Sequence, residues 1–165
     1  GRGARGGGDP VVVVTLASNR VDLLALQHET LRRFIAEPFV FVVMNDGPTA
    51  KIREDIHALV EALSFRFHVK EFPVRSRHGT RYDAAVVCGE TMNIVVREVL
   101  VNYYPKSRVL IVDSDLLLTD HFSVVEYLRG FDMAAIPVDK PRGCRPPFPP
   151  YLTRVHTPAP TKSGR

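Results

Sequence analysis

The sequence predicts an α/β fold: a mainly parallel sheet with helices on both faces. Three observations predict it. Short β-branched apolar runs at residues 11–16, 39–44 and 109–112 lack the alternation of a half-exposed strand and fit strands covered on both sides. Segments with apolar residues at helical spacing separate these runs, and such alternation argues for βαβ units. The turn residues Asn45-Asp46-Gly47-Pro48 and the helix stops Pro38 and Pro105 fall between the segments, where turn chemistry belongs.

Taken in order, residues 1–10 are Gly/Arg-rich and are expected to be a disordered tail. Residues 11–16 form the first strand, and Ala17-Ser18-Asn19-Arg20 turns the chain. Residues 21–36 read as a helix with Leu24, Leu31 and Ile35 on one face beside Leu23 and Phe34. Asn19 is its expected N-cap, with Asp22 in the first turn. Residues 39–44 form the second strand. Residues 49–63 are helical, with Ile52, Ile56, Leu59, Val60 and Leu63 inward. Residues 65–71 alternate strictly, as in a half-exposed strand near a sheet edge. A basic loop at residues 73–82 carries Arg75, Arg77, His78 and Arg81. A long helix over residues 83–104 places Cys88, Met92, Val95, Val96, Val99 and Tyr103 toward the core. Residues 109–112 form the fourth strand, 122–128 a short helix and 132–136 a fifth strand. Beyond residue 136 the pattern contains no core-forming element, and residues 140–165 read as a Pro-rich, basic, disordered tail. Residues 11–139 are therefore the folded domain.

Composition narrows the function classes. The 165 residues are 45% hydrophobic and 24% charged, which suits one globular domain. The net charge of +4 is unevenly spread. Residues 1–10 carry +1, residues 140–165 carry +6, and residues 11–139 carry −3. A basic face on the folded scaffold, which nucleic-acid binding wants, is not indicated. No apolar run approaches the ~18–20 residues of a membrane span. The two cysteines, Cys88 and Cys144, lack metal-type spacing. No P-loop occurs, and the Gly-x-Gly-x-x-Gly match at Gly1–Gly6 lies in the Gly/Arg-rich tail before the first strand rather than at a strand-to-helix turn.

Right-handed crossovers put every strand-to-helix loop on one rim, and ligands of such folds bind at the carboxyl ends of the strands. The polar exits Ser18–Arg20, Asn45–Gly47 and Asp113–Asp115 are thus expected to converge. Asp113 and Asp115 are two carboxylates one residue apart at a strand exit, a hard oxygen site suited to Mg²⁺ or Mn²⁺ carrying phosphate. Their plainer role is to cap the helix at residues 122–128 or to stand in solvent. Asp46 can accept hydrogen bonds from a base or ribose, or simply complete a turn. Arg20 can stack on a base or meet phosphate, or stay solvated beside an N-capping Asn19. Asn93 shares a helix face with Gly89, which would let a ligand approach; its plainer reading is an exposed helix Asn. His121 is a ligand or base candidate, with a surface role the plainer reading.

These residues resemble those of the GT-A fold glycosyltransferases, Rossmann-like enzymes in which an Asp-x-Asp motif holds Mn²⁺ or Mg²⁺ against a nucleotide-sugar diphosphate. Residues 109–115 resemble that motif and its strand. Residues 12–20 resemble the first strand and base-contacting turn of the N-acetylglucosaminyltransferase I type. Met44-Asn45-Asp46-Gly47 resembles the second strand exit. Tyr104-Pro105 and Asp120-His121-Phe122 resemble the flanks of the acidic motif. The resemblance implies Asp115 as principal metal ligand, Asp113 on ribose or on metal through water, and Asp46 and Arg20 on the nucleotide. Ser18, Asn19, Asn93 and Ser114 complete the expected donor site for a UDP- or GDP-sugar. The acceptor (glycan, protein or lipid) and the catalytic base are unassigned. The family's second half supplies the acceptor site, and the 29 residues after Ile136 do not resemble it. The chain is therefore expected to be an N-terminal, nucleotide-binding fragment, in the Golgi or ER lumen if an anchor precedes it and otherwise cytoplasmic.

Three other readings compete. A haloacid-dehalogenase-like phosphatase also uses Asp-x-Asp after a strand, but there the motif opens the domain. A nucleotidyltransferase would carry a Gly-rich basic loop after the first strand, which residues 17–20 lack. A non-catalytic α/β fragment with a structural Asp pair is the third possibility.

Overall fold

The computed structural model describes residues 10–74, 84–129, 133–134 and 154–155. The basic loop with Arg75, Arg77, His78 and Arg81, the Cys88 side chain, Cys144, His156, residues 1–9 and most of residues 140–165 lie outside them. The chain divides into two compact units, Gly1–Val124 and Val125–Arg165.

The first unit is a four-stranded, all-parallel α/β sheet of Rossmann-like type. Its strands are β1 (Val11–Ala17), β2 (Phe39–Asn45), β3 (Val69–Pro73) and β4 (Val109–Val112), in the spatial order β3-β2-β1-β4. β1 pairs with β2 from Val11↔Phe39 to Ala17↔Asn45, and with β4 from Val12↔Val109 to Thr15↔Val112. β1 is central, and its four consecutive valines are at most 2% exposed. Burying each contributes about 1.5–3 kcal/mol, which is why this run does not alternate.

Helices cover both faces. Val12, Val14, Val42 and Met44 share one face with Val95 and Val99. The alternate residues Val11, Val13, Phe41 and Val43 face the other way. There α1 (Val21–Phe34) and α2 (Ala50–Ser64) bring Leu24, Leu31, Ile56 and Val60. The Thr49 hydroxyl caps α2 by accepting from the Ile52 N–H at 3.2 Å.

Several local expectations give way to tertiary effects. Asn19 does not cap α1; Arg20 occupies the N-cap position without a side-chain cap bond. The alternating Phe65-Arg66-Phe67 is not strand. The N–H groups of Arg66 and Phe67 both bond the Leu63 carbonyl, closing off α2, and Phe65 is 82% exposed. β3 begins only at Val69 and is the edge strand, as the half-exposed pattern implied. The long helix divides into α3 (Ala84–Ile94), π-helical turns (Val95–Leu100) and α4 (Val101–Tyr103). Its buried residues Thr91, Val95 and Val99 recur every fourth residue. Widening the helix to i→i+5 bonding keeps that row on the sheet and turns Val96 and Tyr103 outward. Among the described residues β4 pairs only with β1, and Ile111 is 44% exposed rather than covered.

In the second unit, β5 (Met133–Ala134) pairs antiparallel with β6 (Arg154–Val155) in a sheet of their own. Of the expected fifth strand, residues 133–134 are described, and they pair with β6 rather than with the parallel sheet. β6 falls within a segment that the sequence pattern left without structure. A short helix, α5 (Val124–Tyr127), follows β4.

Candidate functional site

The chain builds β1, β2 and β3 outward in one direction, then returns past β1 to lay down β4 on its other side. The winding direction therefore reverses between β1 and β4. In open α/β sheets the crevice outside the carboxyl ends of the strands at such a reversal is the usual ligand position; here the loop leaving β4 packs against α1, the helix that β1 leads into. The Ser18–Arg20 exit lies on one side of that reversal and the Asp113–Asp115 exit on the other, one strand spacing of ~4.8 Å apart at the sheet. The β2 exit lies on the far side of β1, about 10 Å from the β4 exit.

Asp113 and Asp115 are both exposed, and Ser114 between them is half-buried. The Leu116 N–H bonds the Asp113 carbonyl at 3.0 Å, curling the loop. A buried residue of α1 holds this curl. The Gln27 side-chain nitrogen donates to the Asp113 carbonyl at 2.6 Å and to the Leu116 carbonyl at 2.8 Å. Gln27 is fully buried, and its side-chain oxygen has no partner among the described residues. The chain then runs along α1 to its far end. There the Phe122 N–H bonds the Phe34 carbonyl, the Ala36 N–H bonds the Phe122 carbonyl, and the Glu37 carboxylate accepts from Ser123 Oγ and the Val124 N–H. The acidic loop is thus clamped to a rigid helix at both ends. His121 lies edge-on to Phe34 in the last turn of α1, at the end of the helix away from the crevice.

At the β1 exit, Ser18 is half-buried and Asn19 and Arg20 are exposed. Arg20 makes a two-pronged ion pair with Asp22, at 2.9 and 2.6 Å. This hydrogen bonding holds the Asp22 carboxyl down at about 2 and raises the Arg20 guanidinium. A ligand that recruits Arg20 must therefore compete with Asp22.

The β2 exit is built differently. The Asp46 N–H bonds the Ala17 carbonyl at 2.8 Å, tying this exit to β1. Asn45 accepts from the Gly47 N–H and donates to the Arg53 carbonyl and to Glu71. Arg53 returns a bond from its guanidinium to the Gly47 carbonyl at 2.8 Å. The other oxygen of Glu71 meets His57 at 2.6 Å, a bond that raises the imidazole pKa. A side chain at Gly47 would lie 2.8 Å from the backbone nitrogen of Arg53, so glycine lets the turn press against the start of α2. Asn45 is thereby a turn builder. Asp46 is only 3% exposed, so a nucleotide reaches its carboxylate only if a neighbour shifts. Asn93 is exposed on α3, and Gly89 on the same helix has open space around it; no described hydrogen bond joins Asn93 to the strand exits.

Among the described residues, no cluster of three or more His, Cys, Asp or Glu could enclose a metal ion. The donor set at the β4 exit is two exposed carboxylates. That is too few to form a closed structural site. It suits a cation that keeps waters and shares its remaining positions with substrate phosphates, as Mg²⁺ and Mn²⁺ do.

Sequence reasoning missed Gln27, although a signal was present. It is a polar residue on the same 3–4-spaced stripe as Leu24 and Leu31, and a buried amide there must find partners. The Asn45–Glu71–His57–Arg53 network had no such signal, because its members come from separate elements. No family model, no curated protein and no solved structure matches the chain.

Proposed function

We propose that this chain binds the donor of a metal-dependent glycosyl transfer, a nucleoside-diphosphate sugar such as a UDP- or GDP-sugar, with Asp113 and Asp115 as the protein's metal ligands. One observation carries the reading: two exposed carboxylates stand on a clamped loop beside the winding reversal of a parallel sheet, where such folds take nucleotides. The resemblance of the strand exits to those of GT-A glycosyltransferases supports the same assignment. Bound there, Mg²⁺ or Mn²⁺ offsets the negative charge of a departing nucleoside diphosphate. The protein's own part is positioning. Gln27 keeps the loop curled so that both carboxylates stay at the crevice, and Arg20, released from Asp22, offers a planar guanidinium to base or phosphate. Ser18 and Asn19 line the opposite side, and Ser114 lies between the two carboxylates. The acceptor and the catalytic base are outside this assignment.

The test is thermal unfolding of the chain with UDP or GDP, with and without Mn²⁺. A ligand at one hundred times its Kd stabilises by about 2.7 kcal/mol. A rise in Tm that requires both nucleotide and Mn²⁺, and that Asp115→Ala removes, is the expected result. The proposal fails if neither nucleotide raises Tm, or if Asp115→Ala responds as strongly as the parent chain.

A further inference from the structure

At the other end of the sheet, away from Asp113 and Asp115, lies a groove. It has a volume of about 270 Å³ and runs between the second half of α1, the start of β2 and the turn before β3. Phe39, Phe67 and Ile35 supply apolar walls. The charged lining is Arg32 and Arg66 against Glu37, with His28 and His68 beside them; the Glu37 carboxylate already accepts from Ser123 and Val124. The Arg32 guanidinium lies 4.0 Å over the Phe67 ring, which uses its face and leaves its N–H edge for an anion. Arg32 and Arg66 make no ion pair with a described residue. His28 is 3% exposed and lines the groove. Its ring packs at 5.0 Å from Phe67 and 5.5 Å from Phe41, without a hydrogen bond to any described residue. A buried imidazole normally finds a partner, and His28 lines the groove without one among the described residues.

We infer that this groove is a binding site for a small aromatic anion, with Arg32 and Arg66 holding the charge and Phe67, Phe39 and His28 enclosing the ring. Several features fix the chemical class. The volume lies just below the range of drug-sized pockets, which limits the occupant to about one ring and its charged group. Two guanidiniums against one occupied carboxylate select an anion. Aromatic walls favour a flat apolar body over a bare inorganic ion. Burial, followed by the charge of Arg32, holds the His28 imidazole down at about 4, so at neutral pH it is uncharged and offers one donor and one acceptor. Arg32 and Arg33 in the last turn of α1 offset the partial negative charge of the helix end.

The probe is phenyl phosphate, titrated into the full chain in EDTA at pH 7 and followed by NMR of the histidine rings and backbone amides. Saturable shifts are expected at His28, Phe67 and His68. An anion beside His28 also moves its titration upward, against the opposing charges of Arg32 and Arg66 and the weaker influence of Glu37 and His68. Arg32→Gln and Arg66→Gln each weaken binding about tenfold, and both exposed positions tolerate the change without loss of fold. Asp115→Ala leaves the affinity unchanged, which separates this groove from the proposed donor site. The inference is overturned if inorganic phosphate or benzyl alcohol binds as tightly as phenyl phosphate, if both glutamine variants keep full affinity, or if the shifts map to the Asp113–Leu116 loop.

Discussion

Replacing Gln27 by Leu probes the clamp on the acidic loop most directly. The substitution keeps much of the volume and the helix propensity of the site, and it removes both hydrogen bonds to the Asp113 and Leu116 carbonyls. Each bond contributes a net ~1–1.5 kcal/mol, so their loss costs about 2–3 kcal/mol. The variant also removes the buried side-chain oxygen that has no partner among the described residues, which returns ~1 kcal/mol. The net expectation is a destabilisation of about 1–2 kcal/mol, or roughly 3–8 °C in Tm for a domain of this size. Urea unfolding measures the first quantity. Amide hydrogen exchange at Leu116–Leu118 measures the second consequence, faster local opening of the loop. Gln27→Glu separates packing from donation: it retains the shape but, when ionised, donates to neither carbonyl, and it should destabilise more than Leu does. A Gln27→Leu variant as stable as the parent, with unchanged exchange at Leu116–Leu118, refutes the clamp.

Two further outcomes follow from the same geometry. Gly47→Ala places a methyl group 2.8 Å from the Arg53 backbone nitrogen and Cγ; because the backbone nitrogen cannot swing aside, unfolding measurements should show a loss of about 1–3 kcal/mol. Stability should also fall in acid through His28. Above pH 6.5 its ring is neutral in both states; between 6.5 and about 4 only the unfolded chain takes the proton, so stability drops as pH falls, and below about 4 the loss levels off. The upper bound is ~3 kcal/mol, reduced to roughly 1–2 kcal/mol because the groove opens to solvent. Urea midpoints at pH 7 and pH 4.5 should differ less in His28→Phe than in the parent; equal differences in the two proteins would exclude His28 as the source.

Much of the fold was legible because it rests on local pattern. Valine runs without alternation mark strands covered on both faces, and Pro38, Gly47 and Pro105 punctuate them wherever helix or strand cannot continue. The misreadings occur where local pattern competes with a neighbour. Phe65-Arg66-Phe67 alternates like a strand, but the Leu63 carbonyl captures two of its N–H groups. Val96 and Tyr103 sit at helical spacing, but the π turns rotate them off the sheet. Asn19 is a good capping residue by type, yet the chain enters α1 at Arg20 without its help.

The candidate site divides along the same line. Sequence alone determined that two carboxylates stand at the exit of a short apolar strand, because residue identity and the end of the apolar run are both local facts. It also determined that residues 11–139 carry a net negative charge. Which exits become neighbours was decided only in three dimensions. Strand order is set by how hydrophobic faces are buried across elements distant in sequence, and it put β4 beside β1 rather than beyond β3. That single placement brings Ser18–Arg20 next to Asp113–Asp115 and lets Gln27 reach a loop 86 residues away. It also leaves Asp46 one strand further off and buried. Side-chain partners depend on that long-range packing, and no periodicity in the chain encodes it.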